Sequence, residues 1–534
     1  MKKILMIVFA SLMIAAWILP ARQCRAADIT FYGTYRVRLF NTNNAADYSN
    51  EGAKFYSGSG STTTNVAPAY VSSPFTPTTN YKGKTDNNSW IDQRFRLAVE
   101  SKVSDKLRGF VQLEIGNTAG ADSSHIWGSG AAGNTDTCTT TFDGTTYTTS
   151  CTSNNNNRLD ARQYYLSFNL SEVRVKAGRQ LFGDAPDGGQ SFMVTDDNQY
   201  YGLIDGGLIL ISQVDGFFVT TQKTQDPFNL LFGYAKLTES STGSATIDAS
   251  DKDSDLYIMQ GIYTQPDTMT MAGYFVYNRD RTDVGTTGTN TPWWFGGSVE
   301  KKLDQINLKA HIAYKGGKHE KGCQPGSCGI PATGAADDLK YSAYAIDVDA
   351  SMPYSPATTV GVAVGMGSGD KSAADTKSNN FSGVAASYGN QLTVRPAIFF
   401  DRGKVSNGGA SLNTTYSNSI DNTTLGNITF IQFYGIYKES EALTVTGLFA
   451  HFRNTENKRT MTSTTSREWE SKLGNELDLT AVYKLYKELS LIGQIAWFMP
   501  GKGITSYKDQ AGNYTGFATD DTVSEYFAKI QYDF

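Results

Sequence analysis

Seven basic side chains define the chemistry this chain can offer. Arg36 and Arg38 stand two residues apart, as do Arg94 and Arg96. Arg108 follows, and Arg174 and Lys176 repeat the spacing. On an extended strand, period two puts both members of a pair on one wall, roughly 7 Å apart by strand rise. Cations held this way attract anionic groups. Two readings of the ladder stand side by side. It concentrates anions by focusing the field in a narrow passage with low-dielectric walls. Alternatively, it pairs with Glu100, Glu114, Asp347, Asp349, Glu476 and Asp478 to stiffen the wall. Arg162 and Arg179 break parity with their neighbours, and Gly178 is expected to mark a bulge that turns Arg179 inward. The expected lining set is the seven basic residues with Arg179, Glu476 and Asp478.

Other reactive residues are sparse. Residues 182–207 carry Asp184, Asp187, Asp196, Asp197 and Asp205 beside two Gly-Gly pairs. The stretch reads as a loop folded inward opposite the basic wall, as a solvated surface loop, or as a calcium site, since calcium takes oxygen ligands from flexible acidic loops. Its spacing is not that of an EF-hand. Of the 4 His, only His311 falls mid-strand on the polar parity. No G-x-S-x-G occurs, and no enzyme chemistry or resident cofactor is expected. Cys138 and Cys151, and Cys323 with Cys328, form two close pairs in Gly/Ser/Thr/Asn-rich stretches. They are expected to be local disulfides.

Strands must position these residues. Ile29, Phe31, Tyr35, Val37 and Leu39 alternate with Thr30, Thr34, Arg36 and Arg38. Phe95, Leu97 and Val99 alternate with Arg94, Arg96 and Glu100. Segments near 107–115, 477–485 and 526–534 repeat the pattern. One apolar and one polar face over about ten residues fits a membrane barrel, with lipid outside and a lumen inside. Short turns near Val103–Lys106, Ser171–Glu172, Lys438–Glu441 and Tyr486–Glu488 alternate with long polar loops at 42–88, 118–157, 239–252, 319–338, 455–470 and 500–522. This segregation of loop lengths favours a barrel over a sandwich. Strands are expected to begin near 29, 89, 106, 159, 172, 208, 227, 254, 268, 292, 305, 339, 358, 425, 441, 472, 488 and 523, which makes 18. The alternative is 20, with a pair inside 370–424. Pro396 argues against it, so that stretch is taken as a long external excursion. Trp90, Trp293, Trp294, Trp497, Tyr532 and Phe534 read as interfacial girdles.

Composition narrows the class further. The chain has 534 residues, with 30 Tyr, 28 Phe, 52 Gly and only 14 Pro. This balance favours strands and argues against disorder. Lys2 and Lys3, the apolar run Ile4–Leu19 and the Cys24-Arg25-Ala26 site read as a secretory signal peptide over residues 1–26. The net charge of −5 argues against nucleic acid as a partner, and removing the peptide takes it to −9. Residues 27–534 then form a single barrel.

The chain resembles the alginate-export, porin-like family of bacterial outer-membrane channels. The resemblance rests on Tyr165-Leu166-Ser167-Phe168, Gly178-Arg179-Gln180, Ser368-Gly369-Asp370 with Asn380-Phe381, and Glu476-Leu477-Asp478-Leu479. It implies a monomeric barrel, often of 18 strands, whose basic pore takes anionic substrates. Terminal aromatic strands ending like Phe534 resemble the signal read by the barrel-assembly machinery. The expected surroundings are outer-membrane lipid and lipopolysaccharide, and the expected cargo is anionic small solutes. Two alternatives are a non-selective porin and a conduit housing a periplasmic partner such as an electron-transfer protein.

Overall fold

The structure is a computed structural model. It describes residues 27–43, 87–116, 125–126, 137–142, 147–152, 158–183, 209, 211–221, 227–239, 253–266, 268–281, 289–320, 338–371, 377–384, 425–457, 459–461, 466–508, 514–516 and 522–534. Eighteen long antiparallel strands close into a barrel. They are β1 Asp28–Asn43, β2 Asn87–Ser104, β3 Leu107–Gly116, β4 Arg158–Leu170, β5 Val173–Gly183 and β6 Ile211–Thr221. Then come β7 Phe228–Thr238, β8 Ser254–Gln265, β9 Met269–Asp280, β10 Thr289–Leu303, β11 Ile306–Glu320 and β12 Ala343–Ser355. The last six are β13 Thr358–Gly367, β14 Ile428–Lys438, β15 Leu443–Asn454, β16 Lys472–Tyr486, β17 Leu489–Pro500 and β18 Val523–Asp533. Each strand pairs with its neighbours in sequence, and β1 pairs with both β2 and β18. Closure leaves the barrel sheet itself without an edge strand.

Period-two alternation drives this architecture. On β1, Ile29, Phe31, Tyr35 and Leu39 are exposed on the outer face, while Thr34, Arg36 and Arg38 are buried inside. No helix among the described residues is long and apolar enough to cross a membrane, so the crossing is made by strands. Ser171 and Asp304 take left-handed backbone (φ 57° and 54°) in two-residue turns at the short-turn end.

The lumen departs from the expected polar lining. From β6 round to β18, many inward side chains are apolar and buried. Phe218, Ile258, Trp294, Phe430, Phe452 and Phe498 belong to one cluster, joined by Ile209, Phe381, Val384 and Leu425 from connecting segments. A hydrophobic core thus fills part of the barrel interior. The charged side chains concentrate on the arc from β16 through β1 to β5.

Candidate functional site

The basic ladder is assembled by register. Arg36 sits opposite Arg94 on β2 and Gln531 on β18. Arg38 sits opposite Lys529 on β18, and Thr34 opposite Arg96 on β2. Arg36, Arg94 and Lys529 are 0%, 1% and 2% exposed, and Arg38 and Arg96 are also buried. Five cationic side chains from three adjacent strands therefore share one stretch of inner wall. Sequence spacing alone did not single out Lys529, although it alternates with Ala528 and Ile530 as the ladder residues do with theirs.

Bracing is present as well. Arg96 Nε meets Glu114 Oε2, and Arg162 Nη1 reaches the same carboxylate oxygen at 2.7 Å. Arg108 Nη1 lies 3.2 Å from Glu100 Oε1, and Tyr32 donates to Glu100 Oε2 at 3.3 Å. Arg174 and Lys176 stand near the short-turn end, with the Lys176 ammonium 5.1 Å from the centre of the Tyr165 ring. Glu476 and Asp478 are buried on β16. Asp478 is aligned across Ala496 of β17 with the buried Glu525 of β18. The acids thus border the basic stretch on one side and interleave with it on the other.

Two placements correct the sequence reading. The bulge is at Arg162, not beside Arg179: Gln112 pairs with Gln163 and Leu113 with Ala161, so Arg162 and Gln163 both turn inward. β5 keeps its register through Gly178, whose φ is +128°. Arg179 therefore stays on the outer face, 2.7 Å from Asp215 and opposite the exposed Tyr164. It does not line the lumen. Near the end of a strand an outward charge costs about 0–1 kcal/mol, far less than at the bilayer midplane, and its ion pair offsets part of that.

The other correction concerns 370–424, expected to be wholly external. Residues 377–384 form a strap inside the barrel. Lys377 and Ser378 pair in parallel with Lys340 and Tyr341. The Trp294 indole donates to Ser382 O at 2.9 Å, Lys315 Nζ donates to Ser382 Oγ, and Val384 N donates to Ile209 O at 3.0 Å. Trp294 is thus an inward, buried anchor rather than a girdle residue. Trp293 and Trp497 do face outward, as expected, while the side chain of Trp90 is outside the described set. The Lys315 ammonium sits 4.3 Å from the Tyr341 ring centre and 5.6 Å from that of Trp294.

Ser368-Gly369-Asp370 forms the strap's foot. Ser368 O accepts from Phe381 N and Asn427 N, and Ser368 Oγ accepts from Tyr344 N at 2.8 Å. A Cβ on Gly369 would overlap the Asn427 side chain. Asp370 Oδ2 accepts from Asn379 N at 3.3 Å.

The five aspartates of 184–205 and the Cys323/Cys328 pair lie outside the described residues. Cys138 and Cys151 occupy directly opposed positions of a hairpin, Thr137–Phe142 with Tyr147–Thr152. Among the described residues no cluster of His, Cys, Asp and Glu is suited to hold a metal.

A closed barrel of 18 strands with an apolar outer belt and charged side chains inside is an outer-membrane channel of the porin class. The chain belongs to the Alginate export family, matching it over residues 239–518, just over half its length. No curated protein matches it. Among solved structures, OprE of Pseudomonas aeruginosa is similar at 11% identity and a TM-score of 0.45, covering 95% of this chain and 98% of its own. OprD of the same organism is similar at 10% and 0.45, with 96% and 95% covered. A BenF-like porin of Pseudomonas fluorescens is similar at 14% and 0.45, with 95% and 98% covered.

Proposed function

We propose that this channel passes small or oligomeric anionic hydrophilic solutes along the wall of β18, β1 and β2. The observation that carries this is the in-register grouping of Arg36, Arg38, Arg94, Arg96 and Lys529 on adjoining strands. Cationic side chains enclosed by a low-dielectric wall hold anions far better than the same charges in water. The strap at 377–384, held against β10 and β11, narrows the passage on the opposite side. Arg174 and Lys176 continue the path toward the short-turn end. The protein works as a single barrel with no catalytic step. Its test is the reversal potential of the purified protein in planar bilayers under a salt gradient. Anion preference is expected at low salt, and cation preference there refutes the reading.

A further inference from the structure

The wall facing the arginines holds a polar patch that the anion path does not use. Gln260 points inward from β8 and is 1% exposed. Neither its amide nitrogen nor its amide oxygen has a hydrogen-bond partner among the described residues. Tyr274 on β9 stands directly opposite it. The Tyr274 ring crosses β10 where Gly296 leaves room, since a Cβ on Gly296 would lie 2.3 Å from the phenol oxygen. Its hydroxyl meets His311 Nε2 of β11 at 2.6 Å. Opposite His311 on β10 lies Ser298, 9% exposed, whose hydroxyl also has no partner among the described residues. Two unsatisfied buried polar groups thus flank one Tyr–His pair.

From this arrangement we infer that the patch is a binding subsite for a neutral, hydroxyl-rich solute: a sugar or sugar alcohol. Buried polar groups in folded proteins find partners. Here the missing partners must both donate and accept, because a glutamine amide presents one group of each kind side by side. Vicinal hydroxyls do both at that spacing. An anion is disfavoured, since Asp347 faces His311 across β11 and β12, and Asp349 follows two residues on, accepting from the Tyr434 hydroxyl at 2.8 Å. Leu231 and Ile262, buried beside Gln260, supply apolar contact for the carbon face of such a solute. The subsite extends the channel reading to solutes that carry no charge.

The test is calorimetric titration of the detergent-folded protein with sucrose, a neutral disaccharide, using gluconate as the charged comparator. Because no current is measured, the result is independent of the pore's ion selectivity. Sucrose is expected to bind saturably, and Gln260→Leu to weaken it by about tenfold, the effect of losing one or two hydrogen bonds. Ser298→Ala is expected to weaken it less, and Arg36→Gln to leave it unchanged while weakening gluconate. Heat-modifiable gel mobility reports whether each variant is folded, and Ser298→Ala carries the test should Gln260→Leu not assemble. Absence of saturable sucrose binding by the wild type overturns the inference, as does a folded Gln260→Leu or, in its place, Ser298→Ala that binds as the wild type does.

Discussion

The ring of Phe534 lies over Gly33. A Cβ at position 33 would stand 2.1 Å from Phe534 Cζ, and the two residues exchange backbone hydrogen bonds of 2.8 and 2.9 Å. Phe534 also stacks on Phe95 and Tyr532, with ring centres 6.2 and 5.7 Å apart. The last residue therefore covers the seam where β18 meets β1, an aromatic ring filling the gap left by a glycine on the neighbouring strand. Deleting Phe534 should lower the yield of heat-modifiable protein in the outer membrane. Gly33→Val, which leaves the terminal residue intact, should do the same by displacing the ring. Wild-type yield from Gly33→Val would show that packing of the Phe534 ring over Gly33 does not matter for assembly.

Glu114 is fully buried and answers two guanidiniums, those of Arg96 and Arg162. Removing one member of a buried ion pair costs about 3–5 kcal/mol, because the remaining charges are left uncompensated. Glu114→Gln should accordingly lower the temperature at which the barrel loses its folded gel mobility. It should also strengthen anion preference, since a negative charge leaves the wall. A variant as stable as the wild type would mean that other groups carry these arginines.

All eighteen strands were legible from the sequence because lipid imposes an apolar outer face whatever lines the inside. Arg36 and Arg38 were legible inside for the same reason: on the other parity they would face hydrocarbon. The apolar part of the lumen was not. In β8, Leu256, Ile258 and Ile262 face inward between Tyr257, Met259 and Tyr263 facing outward. With both faces apolar, alternation no longer reports which side is wet. The strap was missed because Phe381 and Val384 look like any short apolar interruption in a polar loop until Trp294 is seen pointing inward. Arg179 was misplaced because Gly178 advertised a bulge, whereas the register shift came at Arg162, where no glycine or proline marks it.

Trp294 holds the strap through one hydrogen bond and a large buried ring. Truncating such a ring in a packed interior costs about 3–5 kcal/mol, more than the one or two hydrogen bonds that would still retain Ser382. Trp294→Ala should loosen the strap at Ser382, while the Lys377–Ser378 pairing, Phe381 and Val384 still hold its ends, and raise single-channel conductance. Trp293→Ala, one position away on the lipid face, should leave conductance unchanged. Equal conductance in wild type and Trp294→Ala would mean that the strap does not limit the passage.

Processing should be visible by mass. The apolar run before Ala26 predicts a mature chain beginning at Ala27, and the two close cysteine pairs predict local bridges. Intact mass of the membrane-extracted protein should lack residues 1–26 and fall short of the reduced form by the mass of two disulfides, Cys138–Cys151 and Cys323–Cys328. Retained Cys24 or four alkylatable thiols would contradict this.

The ladder and the net charge make opposite predictions for selectivity. The processed chain is expected to be acidic overall, at −9, so a pore governed by net charge would prefer cations. Local field governs instead when the charges line the passage. Arg36 and Arg94 face each other across β1 and β2, with Lys529 and Arg38 one rung further along. Replacing Arg36 and Arg94 together with Gln should shift the reversal potential toward cation preference and slow carboxylated solutes more than neutral ones. The shift should shrink in 1 M salt, where the Debye length falls to about 3 Å. Bracing predicts a different outcome: lower stability of the folded barrel with selectivity unchanged. Measuring both on the same double variant separates the two roles, because a field effect responds to salt in the bath and a buried structural pair does not.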